Sequence, residues 1–334
     1  MTTLITGHGR SIRLSARPAR ARVLCSLWLA VALGGPALPT IASAQVAGPQ
    51  TRHNVAHFGL DLNGTFLGYV EAVESSYFIG RVTSSPPTDG TKKAGSSGPI
   101  TTKQISGVDT DDIRITTDFN LAGNFFDEIK RTMRNEVRPL SGSVLLGDGY
   151  GQLVGQRTFI GAQITEIAFP EVVAGIGQEA TLSVTLKPGR LSTKGPARQL
   201  PATLATEPLP QNVGLEIDGI STLDITRIET LTWKRPYTET SVYGKTVVPP
   251  ASPPQVSDLV ITFKGSPSPF DNWYMAMVNG RPVERQGRIK WYDRVGNLYA
   301  TLTLENLGIY EMSFVDGATR VEMYMENMVL ERHQ

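Results

Sequence analysis

The sequence is poorest in the residues that most often carry out chemistry. Its 334 residues hold one cysteine, Cys25, and four histidines. A lone cysteine excludes an intrachain disulfide and a cysteine-rich zinc site. His8 and His333 stand near the two ends, so only His53 and His57 form a pair. Their i,i+4 spacing suits two ligands on a helix, but it falls on a lead-in to a strand with no third ligand nearby. Ser–His and Cys–His catalysis then lack a base in the body of the chain. The expectation is no catalytic residue, no metal site, no cofactor and no enzymatic activity.

Acidic residues are missing from one region. None precedes Asp61, whereas Arg10, Arg13, Arg17, Arg20 and Arg22 crowd the start. An apolar run follows, Val23 to Leu33, broken by Gly34, Gly35 and Pro36 and ending in Ala42-Ser43-Ala44. The run is too short to cross a bilayer, and small residues at Ala42 and Ala44 suit signal-peptidase cleavage before Gln45. Residues 1–44 thus read as a signal peptide, and the expected location is periplasmic or extracellular, with no transmembrane segment after cleavage. Losing five Arg leaves 27 Lys+Arg against 31 Asp+Glu, a net charge near −4. That balance disfavours nucleic acid as a partner. Cys25 leaves with the signal, so the mature chain would rest on its core alone.

What is abundant is glycine (33) and proline (22), which suits many short strands joined by turns. The chain also repeats itself. Gly142 to Glu171 lies without a gap on Gly287 to Asp316, with identities at Gly142/Gly287, Asp148/Asp293, Gly151/Gly296, Leu153/Leu298, Thr158/Thr303, Ile164/Ile309, Glu166/Glu311 and Phe169/Phe314. Phe58 to Ser75 likewise lies on Val213 to Thr230, where the turn dipeptide Asn63-Gly64 becomes Asp218-Gly219. A repeat of this length implies two copies of one supersecondary plan.

Each copy reads in the same order. A hairpin leads into a long polar loop, Ser84 to Gly107 or Pro236 to Pro254. A short strand follows, Asp112 to Thr116 or Asp258 to Thr262, and then a short amphipathic helix. The first helix is expected to start at an Asn124 cap and bury Phe126, Ile129 and Met133. The second is expected to start at a Ser268 cap and bury Phe270, Trp273 and Met277, at an offset of 144. The repeated strand–turn–strand block comes next, then a closing strand, Leu182 to Leu186 or Val321 to Met325. The first copy carries about six extra residues around Val172 to Gly177. These elements predict a mainly β fold, a β-sandwich or squashed barrel with one short helix per repeat. The expected domains are 45–190 and 212–334, joined by a Pro-rich linker over 191–211.

The opening strand pairs (Phe58 to Glu74, Val213 to Glu229), the long loop, the aromatic-bearing helix with Trp273 and the Asp293/Gly296 turn together carry a resemblance. Each half resembles the tube proteins of contractile phage tails and related injection systems. The resemblance implies two tandem tail-tube-like domains and a non-enzymatic structural role. It also implies a homo-oligomer: three doubled chains would give a pseudo-sixfold ring. Other tail or envelope proteins are the further partners it implies.

Other features read as structure. Asp109, Asp111 and Asp112 lack the spacing and closing Glu of a calcium loop, and Gly147 to Gly151 lacks the Lys-Ser/Thr of a phosphate loop. Met323 and Met325 share a strand face with Val321, as core residues would. Glu74 and Glu229, kept in both copies, serve what both share. The alternative function is a monomeric exported binding module. It would recognise a glycan, envelope component or partner protein through loops 84–107 and 236–254, with Trp233 a candidate platform and Trp273 and Trp291 expected in the core.

Overall fold

The computed structural model describes residues 57–333 apart from 76, 86–101, 120, 149, 175–180, 194–199, 201–211, 238–239, 243–244, 248–252, 265–267 and 294. The expected signal peptide and His53 lie outside the described residues. From Arg52 to Gln334 the chain is one compact unit. No helix among the described residues is long and apolar enough to cross a membrane.

The first half runs β1 (His57–Leu62), β2 (Thr65–Val70), β3 (Ala72–Glu74), β4 (Phe78–Ser85), β5 (Thr102–Thr110), β6 (Ile113–Asp118), α1 (Gly123–Met133), β7 (Leu140–Gly147), β8 (Leu153–Phe169), β9 (Val172–Val173), β10 (Thr181–Lys187) and β11 (Arg190–Ser192). The second runs β12 (Asn212–Ile217), β13 (Ile225–Ile228), β14 (Leu231–Lys234), β15 (Thr240–Val242), β16 (Lys245–Val247), β17 (Gln255–Val256), β18 (Leu259–Phe263), α2 (Ser268–Val278), β19 (Arg285–Tyr292), β20 (Leu298–Val315), β21 (Ala318–Tyr324) and β22 (Asn327–Arg332). The protein is mainly β, with a nearly closed, barrel-like sheet.

Strand order is the same in both halves. The first sheet reads β2-β1-β7-β8-β10-β6-β3, and the second β12-β19-β20-β21-β18-β13. The first sheet curls back on itself because β2 and β3, its two ends, are separated in sequence by Glu71 alone. The Glu71 N–H donates to Thr116 O at 2.9 Å, holding that corner. In the second half the strand matching β2 is reduced to one bridge, Ile217 to Ile220.

Local chemistry explains the turns. Asn63 and Gly64 both take positive φ, 51° and 85°, as a tight two-residue hairpin requires, and Asp61 Oδ1 accepts from the Gly64 N–H at 2.9 Å. Asp148 Oδ1 accepts from the N–H groups of Tyr150 and Gln152, each at 2.9 Å. Asp293 repeats this with Val295 at 3.0 Å and Asn297 at 2.8 Å. Gly151 and Gly296 supply the positive φ. The two long strands change partners at matching points, Gly161 (φ 64°) and Asn306 (φ 54°), where a bend lets one strand serve two sheets.

The helices depart from expectation at their starts. Ala122, not Asn124, occupies the α1 cap and makes no side-chain cap bond; Asn124 lies inside the helix. The helix ends align at an offset of 145 rather than 144. Asn135 and Gly280 share positive φ, and Asn135 N→Thr132 O (3.0 Å) matches Gly280 N→Met277 O (2.9 Å). Phe126, Ile129 and Met133 are buried as expected, as are Phe270 and Trp273, while Met277 is half-buried. Strands also enter the expected loops: β4 and β5 extend into 84–107, and β15 and β16 pair inside 236–254.

Candidate functional site: the junction of the two halves and the open edges

The halves exchange strands. β14 of the second half pairs with the far end of β8 in the first: Leu231 opposite Phe169, Thr232 opposite Ala168, Trp233 opposite Ile167 and Lys234 opposite Glu166. In return β9, part of the expected six-residue insertion, pairs with β13 through Val172/Ile228 and Val173/Arg227. Arg235 N–H continues the first ladder to Thr165 O at 2.8 Å. Edge strands carry unpaired N–H and C=O groups, and each half covers an edge of the other.

Side chains seal the junction. Trp233 is wholly buried, with the Arg235 guanidinium 5.7 Å from its ring centre. Arg235 donates to Asn135 Oδ1 beyond the end of α1. Met133 of α1 sits under β22, its sulfur accepting from Leu330 N–H at 3.4 Å. Arg332 donates to Leu121 O at 2.6 Å and Tyr299 OH to Phe119 O at 3.1 Å. Trp291 stacks against Phe169 and lies against Phe119, with centroids 5.9 and 5.4 Å apart. Arg227–Glu171 (2.6 Å) and Lys234–Glu166 (3.3 Å) bridge the rim. Exposed pairs such as these contribute about 0–1 kcal/mol each, so buried aromatic packing carries most of the union.

Beside the junction lies an open groove of about 620 Å³ lined by Glu74, Ser75, Asp111, Asp112, Arg114, Glu166 and Thr185. The structure thus brings Glu74 and two members of the aspartate cluster together. Asp109 is elsewhere, paired with Arg81 at 2.5 Å, and Asp112 lies 3.8 Å from Lys187. Glu166 is held by Arg114 at 3.1 Å as well as by Lys234. Among the described residues no three His, Cys, Asp or Glu side chains are grouped to hold a metal. His57 begins β1 and meets the Tyr69 ring edge-on at 6.0 Å. Glu229, the counterpart of Glu74, accepts from Arg320 at 3.2 Å.

Among the described residues two open features stand out. Beyond Asn306, β20 pairs with β21 on one side only among the described strands, whereas β8 there has both β10 and β14. Phe314 is 71% exposed and Tyr310 39%. Burial and the Asp258 carboxylate, which accepts a hydrogen bond from the Tyr310 hydroxyl at 2.8 Å, push that phenol up to about 12. The second open feature is the β4–β5 arm, a two-stranded ribbon on which Phe78, Ile79, Val82, Ile105 and Val108 are 44–69% exposed. The repeat pointed to where the halves correspond. It held no signal for the strand exchange, because β14 alternates no differently from a strand that pairs within its own half.

No protein-family profile matches the chain, and no curated protein sequence matches it. Among solved structures it is similar to a chain of the anti-feeding prophage (AFP) baseplate in its six-fold symmetrised cryo-EM structure. The identity is 13% and the TM-score 0.31, over 36% of this chain and 91% of the other.

Proposed function

We propose that this is an exported, non-enzymatic structural protein that self-associates, its two tail-tube-like halves forming part of a ring or tube-like assembly. The observation that carries the reading is the β4–β5 arm. A lone two-stranded ribbon is marginally stable in water, and several exposed Phe, Ile and Val side chains on one such ribbon mark an interaction surface. Both liabilities disappear if the arm packs against another subunit. Three chains of two like halves would close a pseudo-sixfold ring, and the open β20 edge offers a second contact of the kind that rings and filaments need.

The alternative of a glycan-binding monomer loses its platform among the described tryptophans. Trp233, Trp273 and Trp291 are 0%, 2% and 4% exposed, so none presents an indole face to a sugar. Size-exclusion chromatography with light scattering on the exported protein tests the proposal. Multiples of the chain mass that dissociate in Val82→Asp/Ile105→Asp support it. A strict monomer at the highest attainable concentration refutes it.

A further inference from the structure

We infer that the open edge of β20 receives the first residues of β4 from a second copy of this chain, in the register that unites the halves within one chain. The inference rests on the self-association proposed above and adds where it occurs and by which pairs.

Trp233 pairs with Val256 and Lys234 with Gln255, while Phe78 pairs with Thr110 and Ile79 with Asp109. The offsets are 155 on the first strand, as for β1 and β12, and 146 on the second, as for β6 and β18. The β14–β17 pair is therefore the second half's counterpart of the root of the β4–β5 arm. β14 docks on Glu166–Phe169 of β8, and the corresponding stretch of β20, offset by 145, is Glu311–Phe314. Among the described strands the same socket is thus filled in one half and open in the other, and the same plug is seated in one half and exposed in the other. Trp233 is 0% exposed, whereas its counterpart Phe78 is 44% exposed.

Helix α1 shows the same contrast. Met133, under β22, is 1% exposed, and its counterpart Val278 on α2 is 53% exposed with Met275 beside it at 48%. One end of the chain carries a vacant socket and the other a free plug. The pairs that follow are Tyr77 with Ser313, Phe78 with Met312 and Ile79 with Glu311. Such a contact is head-to-tail: it closes into a ring or runs on as a filament, according to the rotation between units.

One part of the internal junction cannot be repeated. β9 occupies residues that the tight Asp316-Gly317 turn between β20 and β21 lacks, so the β9–β13 ladder has no counterpart, and Ala72 stands at the position equivalent to Arg227, so the Glu171–Arg227 pair has none either. The contact between chains therefore rests on one ladder and is weaker than the union of halves.

Cysteine pairing reads the register directly. Within the chain the Lys234 and Glu166 side chains meet at 3.3 Å, so the counterparts Ile79 and Glu311 should face each other across chains. In a Cys25→Ser background, Ile79→Cys/Glu311→Cys should give a ladder of covalent dimers and higher species under mild oxidation. Val82→Cys/Glu311→Cys should not. Phe314→Asp, at an exposed site, should weaken association about tenfold or more with little change in melting temperature. Ile79→Lys should strengthen it about two- to fivefold by restoring the ion pair. A protein that is monomeric throughout overturns this inference together with the proposed function. An oligomer that neither cross-links at 79/311 nor responds to Phe314→Asp overturns this inference alone.

Discussion

Replacing Trp233 with alanine tests how the two halves are held together. The indole is fully buried on the strand that crosses from one half to the other, opposite Ile167 and against the Arg235 guanidinium. Truncating a buried Trp costs about 3–5 kcal/mol through lost transfer energy and the cavity left behind. One effect works the other way: the indole Nε1–H has no hydrogen-bond partner among the described residues, so its removal returns about 1 kcal/mol or more. The net loss is about 3 kcal/mol. For a unit of roughly 280 residues the unfolding entropy is about 0.6 kcal/mol/K, which converts that loss to a fall in Tm of about 5 °C. Far-UV circular dichroism and calorimetry measure it. Because the side chain links the halves, the calorimetric peak should also broaden or split. Trp233→Phe keeps most of the packing and discards the unsatisfied N–H, so it should cost less than about 1.5 kcal/mol. A Tm within about 1 °C of the parent for the alanine variant refutes the reasoning. So does a phenylalanine variant as unstable as the alanine one, which would show that the N–H finds a partner.

Two further outcomes concern the repeated block. A Cβ on Gly142 would stand 2.1 Å from the Asp61 carbonyl oxygen, whereas one on Gly287 would meet the movable Leu307 Cδ1 at 2.5 Å. Gly142→Ala should therefore cost about 3 kcal/mol and Gly287→Ala clearly less, as denaturant midpoints will show; equal costs would refute the backbone-clash argument. At Asp293 burial raises the carboxyl's pKa, but bonds from Asn297, Val295 and Gly296 outweigh it and hold the group below its ordinary value. The hydrogen bond from Lys130 leads the causes that lower Glu331 in the same way. Both contribute stability above the unfolded carboxyl range that is lost as pH falls through the folded values. Stability should thus decline below about pH 4, and Asp293→Asn should flatten that decline; an acid limb of unchanged slope in the variant sinks the assignment.

Much of the fold was legible because it is set locally. Asn63-Gly64, Asp148/Gly151 and Asp293/Gly296 specify turns through positive φ and side-chain capping, which need only near neighbours in sequence. Alternation placed Met323 and Met325 in the core, and apolar spacing placed Trp273 there. The N-cap at Asn124 was read two residues too late because the helix starts from Ala122, which makes no side-chain cap bond and so carries no capping residue type to read. Strands inside 84–107 and 236–254 were missed because their residues are polar, and pairing in a ribbon needs backbone groups rather than a buried face.

The sequence alone determined a mainly β chain with two matching successions of elements and Asp/Gly turns, since hydrophobic period and turn chemistry are properties of short segments. Only the tertiary structure decided that β14 leaves its own half for β8, that β9 returns the exchange, and that the equivalent edge of β20 stays open among the described strands. Backbone donors and acceptors are alike on every strand. Which edge a strand joins is settled by packing among residues far apart in the chain, such as Trp233, Ile167 and Arg235, and no local pattern encodes it.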